Sequence, residues 1–123
     1  MHVSGLDHLV INVGDVERSL AWYTDMLGLA AERVDEWRAG EVFFPSVRID
    51  ANTIIDLFEL ERTGQNIDHI CLVVERADVD AVSADPRFNI VDGPGERWGA
   101  QGIGWSVYVT DPDGNQVELR SYD

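Results

Sequence analysis

The chain has 123 residues, a length that fits a single domain. Its 45% hydrophobic and 26% charged residues give the ordinary balance of a folded protein and exclude a disordered one. No apolar run approaches the ~18 residues of a membrane helix. With 23 acidic residues against 9 basic ones, the formal net charge is −14, so nucleic acid and anionic membrane surfaces are poor partners and none is expected. All the basic residues are arginine, and the absence of lysine removes Schiff-base chemistry. The single cysteine, Cys71, forms no internal disulfide and reads as a small buried residue. The start MHVSGLDHLVINV has no basic segment leading into an apolar one. The expected compartment is therefore the reducing cytoplasm.

In chain order, LDHLVINV (Leu6–Val13) predicts a strand by its Val, Ile and Leu content. Asp15 then caps a helix over Val16–Leu27, with Val16, Leu20, Tyr23 and Leu27 at helical spacing and Gly28 as its terminator. Strands are predicted around Ala30–Trp37, Val42–Asp50 and Thr53–Leu60. IDHICLVV (Ile67–Val74) begins a second series: a strand, a short helix over Ala77–Ala84 ending before Pro86, and strands around Asn89–Val91, Gly104–Thr110 and Gln116–Ser121. Asp111-Pro112-Asp113-Gly114 is the turn between the last two.

The two series are a repeat. LDHLVINV aligns with IDHICLVV at an offset of 61, and IIDLFE (Ile54–Glu59) with QVELRS (Gln116–Ser121) at 62. The expected organisation is one domain of two βαβββ modules, residues 1–62 and 63–123. His8 and His69 are equivalent under the repeat, as are Asp56 and Glu118. Side chains alternate along a strand, so His8 shares a face with Val10 and Asn12, Asp56 with Ile54 and Phe58, and Glu118 with Gln116 and Arg120. The opposite faces are apolar and belong to the core. Singly, a strand histidine is commonly a hydrogen-bonded core residue and a strand glutamate commonly faces water. Four ligand-type residues at repeat-equivalent places point instead to a divalent metal site, because a cation would compensate both carboxylates.

The paired modules resemble the vicinal oxygen chelate superfamily, which includes glyoxalase I, methylmalonyl-CoA epimerase, extradiol dioxygenases, fosfomycin-resistance transferases and bleomycin-resistance proteins. The resemblance is carried by LDHLVINVGDVERSLAWYTDMLGL, IDHICLVVE and SVYVTDPDGNQVELRSY, and GPGERWGAQGIGWSVYVTDPDGNQVELRSYD is similar to small glyoxalase-domain proteins. It implies an α+β fold whose two βαβββ modules form a curled mixed sheet around a cavity. It also implies His8, Asp56, His69 and Glu118 as ligands of nickel, zinc, manganese or iron. Asp56 stands where the family commonly has Glu or Gln and is one methylene shorter, so a triad of His8, His69 and Glu118 is the alternative. The resemblance further implies a small-molecule ligand and a homodimer with sites near its interface.

A metal there would act as a Lewis acid on a carbonyl or on two vicinal oxygens, with Glu118, or else Asp56, moving the proton. The expected function is a glyoxalase-type lyase or isomerase acting on a small vicinal-oxygen or enolisable metabolite. The alternative is a metal-free protein that sequesters an aromatic drug. Extradiol cleavage wants a histidine beyond the ligands, and only His2 remains. Fosfomycin transfer wants a cationic cluster that this chain lacks, and no arginine pair is assignable to glutathione. Candidate ligand contacts are Phe58, Arg120, Trp98, Trp37 and Asn12. The glycine-rich stretch 93–104 reads either as a lid carrying Trp98 or as a long irregular hairpin.

Overall fold

The alternating run HLVINV forms strand β1, His8–Val13, in the computed structural model, which describes residues 2, 6–65, 67–99 and 101–123, the side chains at 98 and 99 excepted. Ile11 and Val13 are buried while His8 and Val10 are exposed, as the two-residue period requires. Asp15 caps helix α1, Val16–Ala21, by accepting the Arg18 backbone N–H at 3.0 Å. The helix continues into a π-helical turn, Trp22–Met26, where the Thr24 hydroxyl donates back to the Leu20 carbonyl at 2.8 Å. Val16, Leu20 and Tyr23 are buried along one face, and Gly28 follows at φ +70°.

Strand β2 covers only Ala30–Glu32, helix α2 Val34–Arg38, strand β3 only Ser46–Arg48, and β4 Ile54–Glu59. The predicted strand Ala30–Trp37 is therefore corrected: its second half is helical. Asp35 and Glu36 in the first turn and Arg38 in the last suit the helix dipole and outweigh the β preference of Val34 and Trp37. Arg38 leaves α2 to bind Glu17 of α1 in a fork, at 2.7 and 2.8 Å. The predicted strand Val42–Asp50 shortens for a local reason, since Pro45 has no N–H to give a ladder.

The second series gives β5 (His69–Val73), α3 (Arg76–Ala84), β6 (Asn89–Gly99), β7 (Gly102–Thr110) and β8 (Gln116–Ser121). Strand β6 runs well past the predicted Val91, so the glycine-rich stretch is a long hairpin, with register shifts between Ile90 and Asp92 and between Asp92 and Gly95. One of its glycines has a packing reason: a Cβ on Gly104 would lie 2.7 Å from the Ser121 carbonyl oxygen. The predicted turn closes with Gly114 N–H on the Asp111 carbonyl at 3.0 Å.

The chain divides into two compact units, Met1–Gly64 and Gln65–Asp123. Each holds one four-stranded mixed sheet, ordered β1-β4-β3-β2 and β5-β8-β7-β6, in which only β1 with β4 and β5 with β8 are parallel. This is an α+β fold of two βαβββ modules, the first with α2 added. In the first unit α1 covers a core that includes Ile11, Val13, Val47, Ile55 and Leu57. In the second, α3 packs on β6, β7 and β8, with Val79, Phe88, Val107, Val109, Val117 and Leu119 buried. At roughly 1.5–3 kcal/mol for each fully buried large side chain, these faces are the main favourable term in folding. Among the described residues, no helix is long and apolar enough to cross a membrane.

Candidate functional site

In each unit the first strand opens on a histidine, and the parallel strand beside it carries a carboxylate two residues further along the same face. The register pairs His8 with Ile54 and Val10 with Asp56, and pairs His69 with Gln116 and Cys71 with Glu118. Both histidines are held in the same way. His8 Nδ1 lies 2.7 Å from Asp7 Oδ2, and His69 Nδ1 lies 2.7 Å from Asp68 Oδ1. An Nδ1–H donated to a carboxylate fixes the tautomer and leaves the Nε2 lone pair for a ligand, which is the usual support of a metal-binding histidine. The bond to Asp7 also raises the His8 pKa above its ordinary value, with the Asp56 charge adding to it against desolvation.

In the second unit the pair is assembled. His69 Nε2 stands 3.2 Å from Glu118 Oε2. Two ligands bonded to one ion at about 2.0–2.1 Å are roughly 2.9–3.4 Å apart, so this separation fits a shared cation. Glu118 is 3% exposed, and Arg120 at 2% donates to its Oε1 from Nε at 3.1 Å and Nη2 at 2.8 Å. Burial pushes the Glu118 carboxyl up, but the Ser106 hydroxyl, the Arg120 guanidinium and the Tyr108 hydroxyl outweigh it and hold the group below its ordinary value. The Tyr108 ring meets His69 edge-on at 5.4 Å. Cys71 is exposed, contrary to the sequence expectation, because β5 is the outer strand of its sheet. Desolvation and the neighbouring Glu118 charge nevertheless push its thiol up to about 11, so it is neutral at pH 7.

The first unit differs. Asp56, 5% exposed, accepts the Ser46 hydroxyl at 2.6 Å, a neutral partner in place of a guanidinium. Phe58, two residues on, packs against Phe44 at 4.7 Å and Phe43 at 5.2 Å, and Phe43 is 66% exposed. Arg33, left-handed at φ 59°, stacks over Phe44 at 4.5 Å and donates to its carbonyl at 3.2 Å. Among the described residues, no group of three or more His, Cys, Asp or Glu is placed to hold a metal ion.

The sequence pattern of the Glyoxalase/Bleomycin resistance protein/Dioxygenase superfamily matches residues 5–119, nearly the whole chain. The chain belongs to this superfamily. The chain is 31% identical to "Virulence protein STM3117" of Salmonella typhimurium, over 99% of this chain and 87% of that one. The solved structure of that Salmonella protein matches with a TM-score of 0.77 at 27% identity, with 100% of each chain covered. The chain is also 32% identical to "Glyoxalase domain-containing protein RDO1" of Mycosarcoma maydis, over 99% of this chain and 70% of that one. "Probable lactoylglutathione lyase" of Synechocystis is 31% identical, over 91% of each.

Within this superfamily fold, the residues singled out by sequence occupy distinct settings. His8 with Asp56, and His69 with Glu118, lie on corresponding strands of the two sheets. Asn12 pairs with Phe58 in the register and is half-buried. Trp37 lies on α2, outside the strands, and the Trp98 side chain is outside the described residues. Arg120 is buried on Glu118 and Tyr122. The sequence reading invoked a metal to compensate both carboxylates, whereas the structure gives Glu118 a protein cation and Asp56 a hydroxyl. It also passed over Asp7 and Asp68, although the signal was present: the Asp-His pair recurs intact in both repeats.

Proposed function

We propose that this chain is a divalent-metal-dependent lyase or isomerase of the glyoxalase type, with His8, His69, Glu118 and Asp56 as the metal ligands and a small vicinal-oxygen or enolisable compound as substrate. The observation that carries the reading is the doubled support of the histidines: in both units an aspartate holds Nδ1, and in the second unit Nε2 is turned to Glu118. The name carried by the Synechocystis relative agrees with lyase chemistry. An imidazole and carboxylate donor set suits nickel, zinc, manganese or iron. Such an ion supplies Lewis-acid polarisation of a substrate carbonyl or of two vicinal oxygens.

The chain's own residues do the rest. Asp7 and Asp68 orient the rings. Glu118, kept ionised by Ser106, Arg120 and Tyr108, is the acceptor of the substrate proton in this reading, and Asp56 is the alternative acceptor. A homodimer is part of the proposal, supported by the exposed apolar residues Val10 on β1 and Val73 on β5. A second reading, sequestration of a planar drug, is favoured by the exposed Phe43 and its contacts with Phe58 and Phe44.

Metal content of untagged protein by mass spectrometry, beside a His8→Ala/Glu118→Ala variant, separates the two. About one equivalent of metal in the parent and none in the variant is the expected result, followed by turnover of an enolisable substrate. Metal absent from both after incubation with divalent cations refutes the enzyme. Quenching of tryptophan fluorescence by aromatic ligands then tests sequestration.

A further inference from the structure

We infer that the first unit binds an organic cation, a protonated amine carried on an aromatic body, with the amine on Asp56 and the body against Phe58 and Phe43. The inference rests on the sequestration reading above and gives its ligand a charge. It comes from setting the two repeats side by side. Glu118 carries a guanidinium, because Arg120 lies two residues along the same face and donates to Oε1 at 2.8 Å. The repeat-equivalent of Arg120 is Phe58, two residues after Asp56. Asp56 is nevertheless 5% exposed, and the hydrogen bond it accepts comes from the neutral Ser46 hydroxyl at 2.6 Å. Among the described residues, the basic groups of this face are engaged elsewhere. Arg48, which pairs with Ile54, is forked onto Glu32, and His8, which feels the Asp56 charge, is bonded to Asp7. A buried carboxylate calls for a cation, and a ligand can supply here what Arg120 supplies in the second unit.

The surroundings of the acid are apolar and aromatic. Val10 pairs with Asp56 in the register and is 45% exposed. Phe58 meets the Phe44 ring at 4.7 Å and the Phe43 ring edge-on at 5.2 Å. The ladder sets these rings beside the acid. Leu57 N–H donates to the Pro45 carbonyl at 3.1 Å, which carries the pairing of Ser46 with Asp56 on toward Phe44 and Phe58. Arg33 fixes Phe44 by stacking on its ring and bonding its carbonyl. Phe43 is left exposed on a cluster that is itself held, so a ligand ring packs there at little cost in side-chain entropy. Residues 56 and 58 are about 7 Å apart along the strand, a span covered by an ammonium on a short arm from a fused ring. One polar group in an apolar wall is a common make-up for a small-molecule site. The net charge of −14 draws cations to the chain and opposes an anionic ligand.

The test is calorimetric titration of chelator-treated protein with naphthylmethylamine and with naphthylmethanol, which has the same ring and no charge. Salt at about 0.15 M limits the reach of the net charge to ~8 Å. The parent is expected to bind the amine about 10–100-fold more tightly than the alcohol, the worth of one buried charge-assisted hydrogen bond. Asp56→Asn is expected to bring the two affinities together while leaving that of the alcohol unchanged. Phe58→Arg places an arginine where the second unit has one, and it is expected to abolish the preference for the amine even where Asp56→Asn fails to fold. Phe58→Leu is expected to weaken both ligands and keep their ratio. Equal binding of amine and alcohol by the parent overturns the inference and leaves sequestration standing. A preference for the amine that survives in Asp56→Asn or in Phe58→Arg also overturns it, since the charge recognised would then lie elsewhere. A parent that binds neither compound refutes sequestration itself, and this inference with it.

Discussion

The Glu118–Arg120 pair is a buried ion pair of the second unit, and breaking it from either side should be costly. Both side chains are 3% exposed, so removal of one leaves the other as a buried charge without its counter-charge. Loss of one partner of such a pair costs about 3–5 kcal/mol. At ~2.1 cal/mol/K per residue, a cooperative unit of 123 residues has an unfolding entropy of about 0.26 kcal/mol/K. Arg120→Met is then expected to lower the melting temperature by roughly 12–19 °C. Replacing both members, with Arg120→Met and Glu118→Leu, removes both charges together and should recover most of that loss, to within about 1–2 kcal/mol of the parent. The assay is urea unfolding of chelator-treated protein, followed by circular dichroism and closed as a double-mutant cycle. The pH dependence supplies an independent sign. The folded Glu118 pKa is lowered, so its contribution is full above the ordinary carboxyl value of about 4.3 and fades as pH falls through the folded value. Single-variant losses below about 1 kcal/mol, or no coupling in the cycle, would show that solvent screens the pair and would refute the reasoning.

Other outcomes follow from the same geometry. Asp68→Asn is expected to weaken metal binding about 10–100-fold while leaving the urea midpoint unchanged, because the aspartate side chain is 81% exposed. Equal affinity, measured by chelator competition, would remove Asp68 from the site. Gly104→Ala is expected to cost about 1–3 kcal/mol by urea unfolding, since its Cβ would meet the Ser121 carbonyl, which can move only with the backbone. Gly28→Ala has open space and only the strain of φ +70°, and should cost no more than about 1–2 kcal/mol. Asp111 accepts the backbone N–H groups of Asp113 and Asn115 and the Asn115 side chain, so Asp111→Ala is expected to cost about 3 kcal/mol and to expose the β7–β8 turn to proteolysis.

The strands that carry the candidate ligands were legible because each has one clean apolar face. Gln116–Ser121 is found as predicted, and His8–Val13 and Ile54–Glu59 are shortened only at their ends. The misreadings lie where a local electrostatic or backbone effect competes with β propensity. Val34–Arg38 is helical because its acids and its arginine match the dipole. The run before Ser46 is irregular because proline interrupts the ladder. Strand β6 extends through glycines because bulges and close backbone approach need them. Face alternation placed each histidine and acid on one side of its sheet, but the identity of what compensates the acids depended on Ser46 and Arg120, which periodicity cannot rank. Asp7 and Asp68 were visible as a repeated dipeptide, and only the Nδ1 contacts give that repetition a physical meaning.

The two units keep the same ligand types and differ in what surrounds them. Ser46 pairs with Asp56 in the register where Tyr108 pairs with Glu118, and Phe58 holds the place of Arg120. Glu118 therefore has a protein cation before any ion binds, whereas the hydrogen bond found on Asp56 comes from a hydroxyl. The chemical consequence is that the two acids should respond oppositely to neutralisation. Asp56→Asn keeps an oxygen for the Ser46 hydroxyl and removes a buried charge, so chelator-treated protein should be as stable as the parent or more so. Its cost should appear only with metal present, as a loss of the stabilisation that a bound ion gives the folded state. Removing the charge of Glu118 should destabilise the chelator-treated protein, because Arg120 is left behind. Urea midpoints with and without added divalent ion distinguish these patterns. A large loss for Asp56→Asn in chelator would mean that its charge is already satisfied within the protein, and the first unit would then offer His8 alone as a ligand.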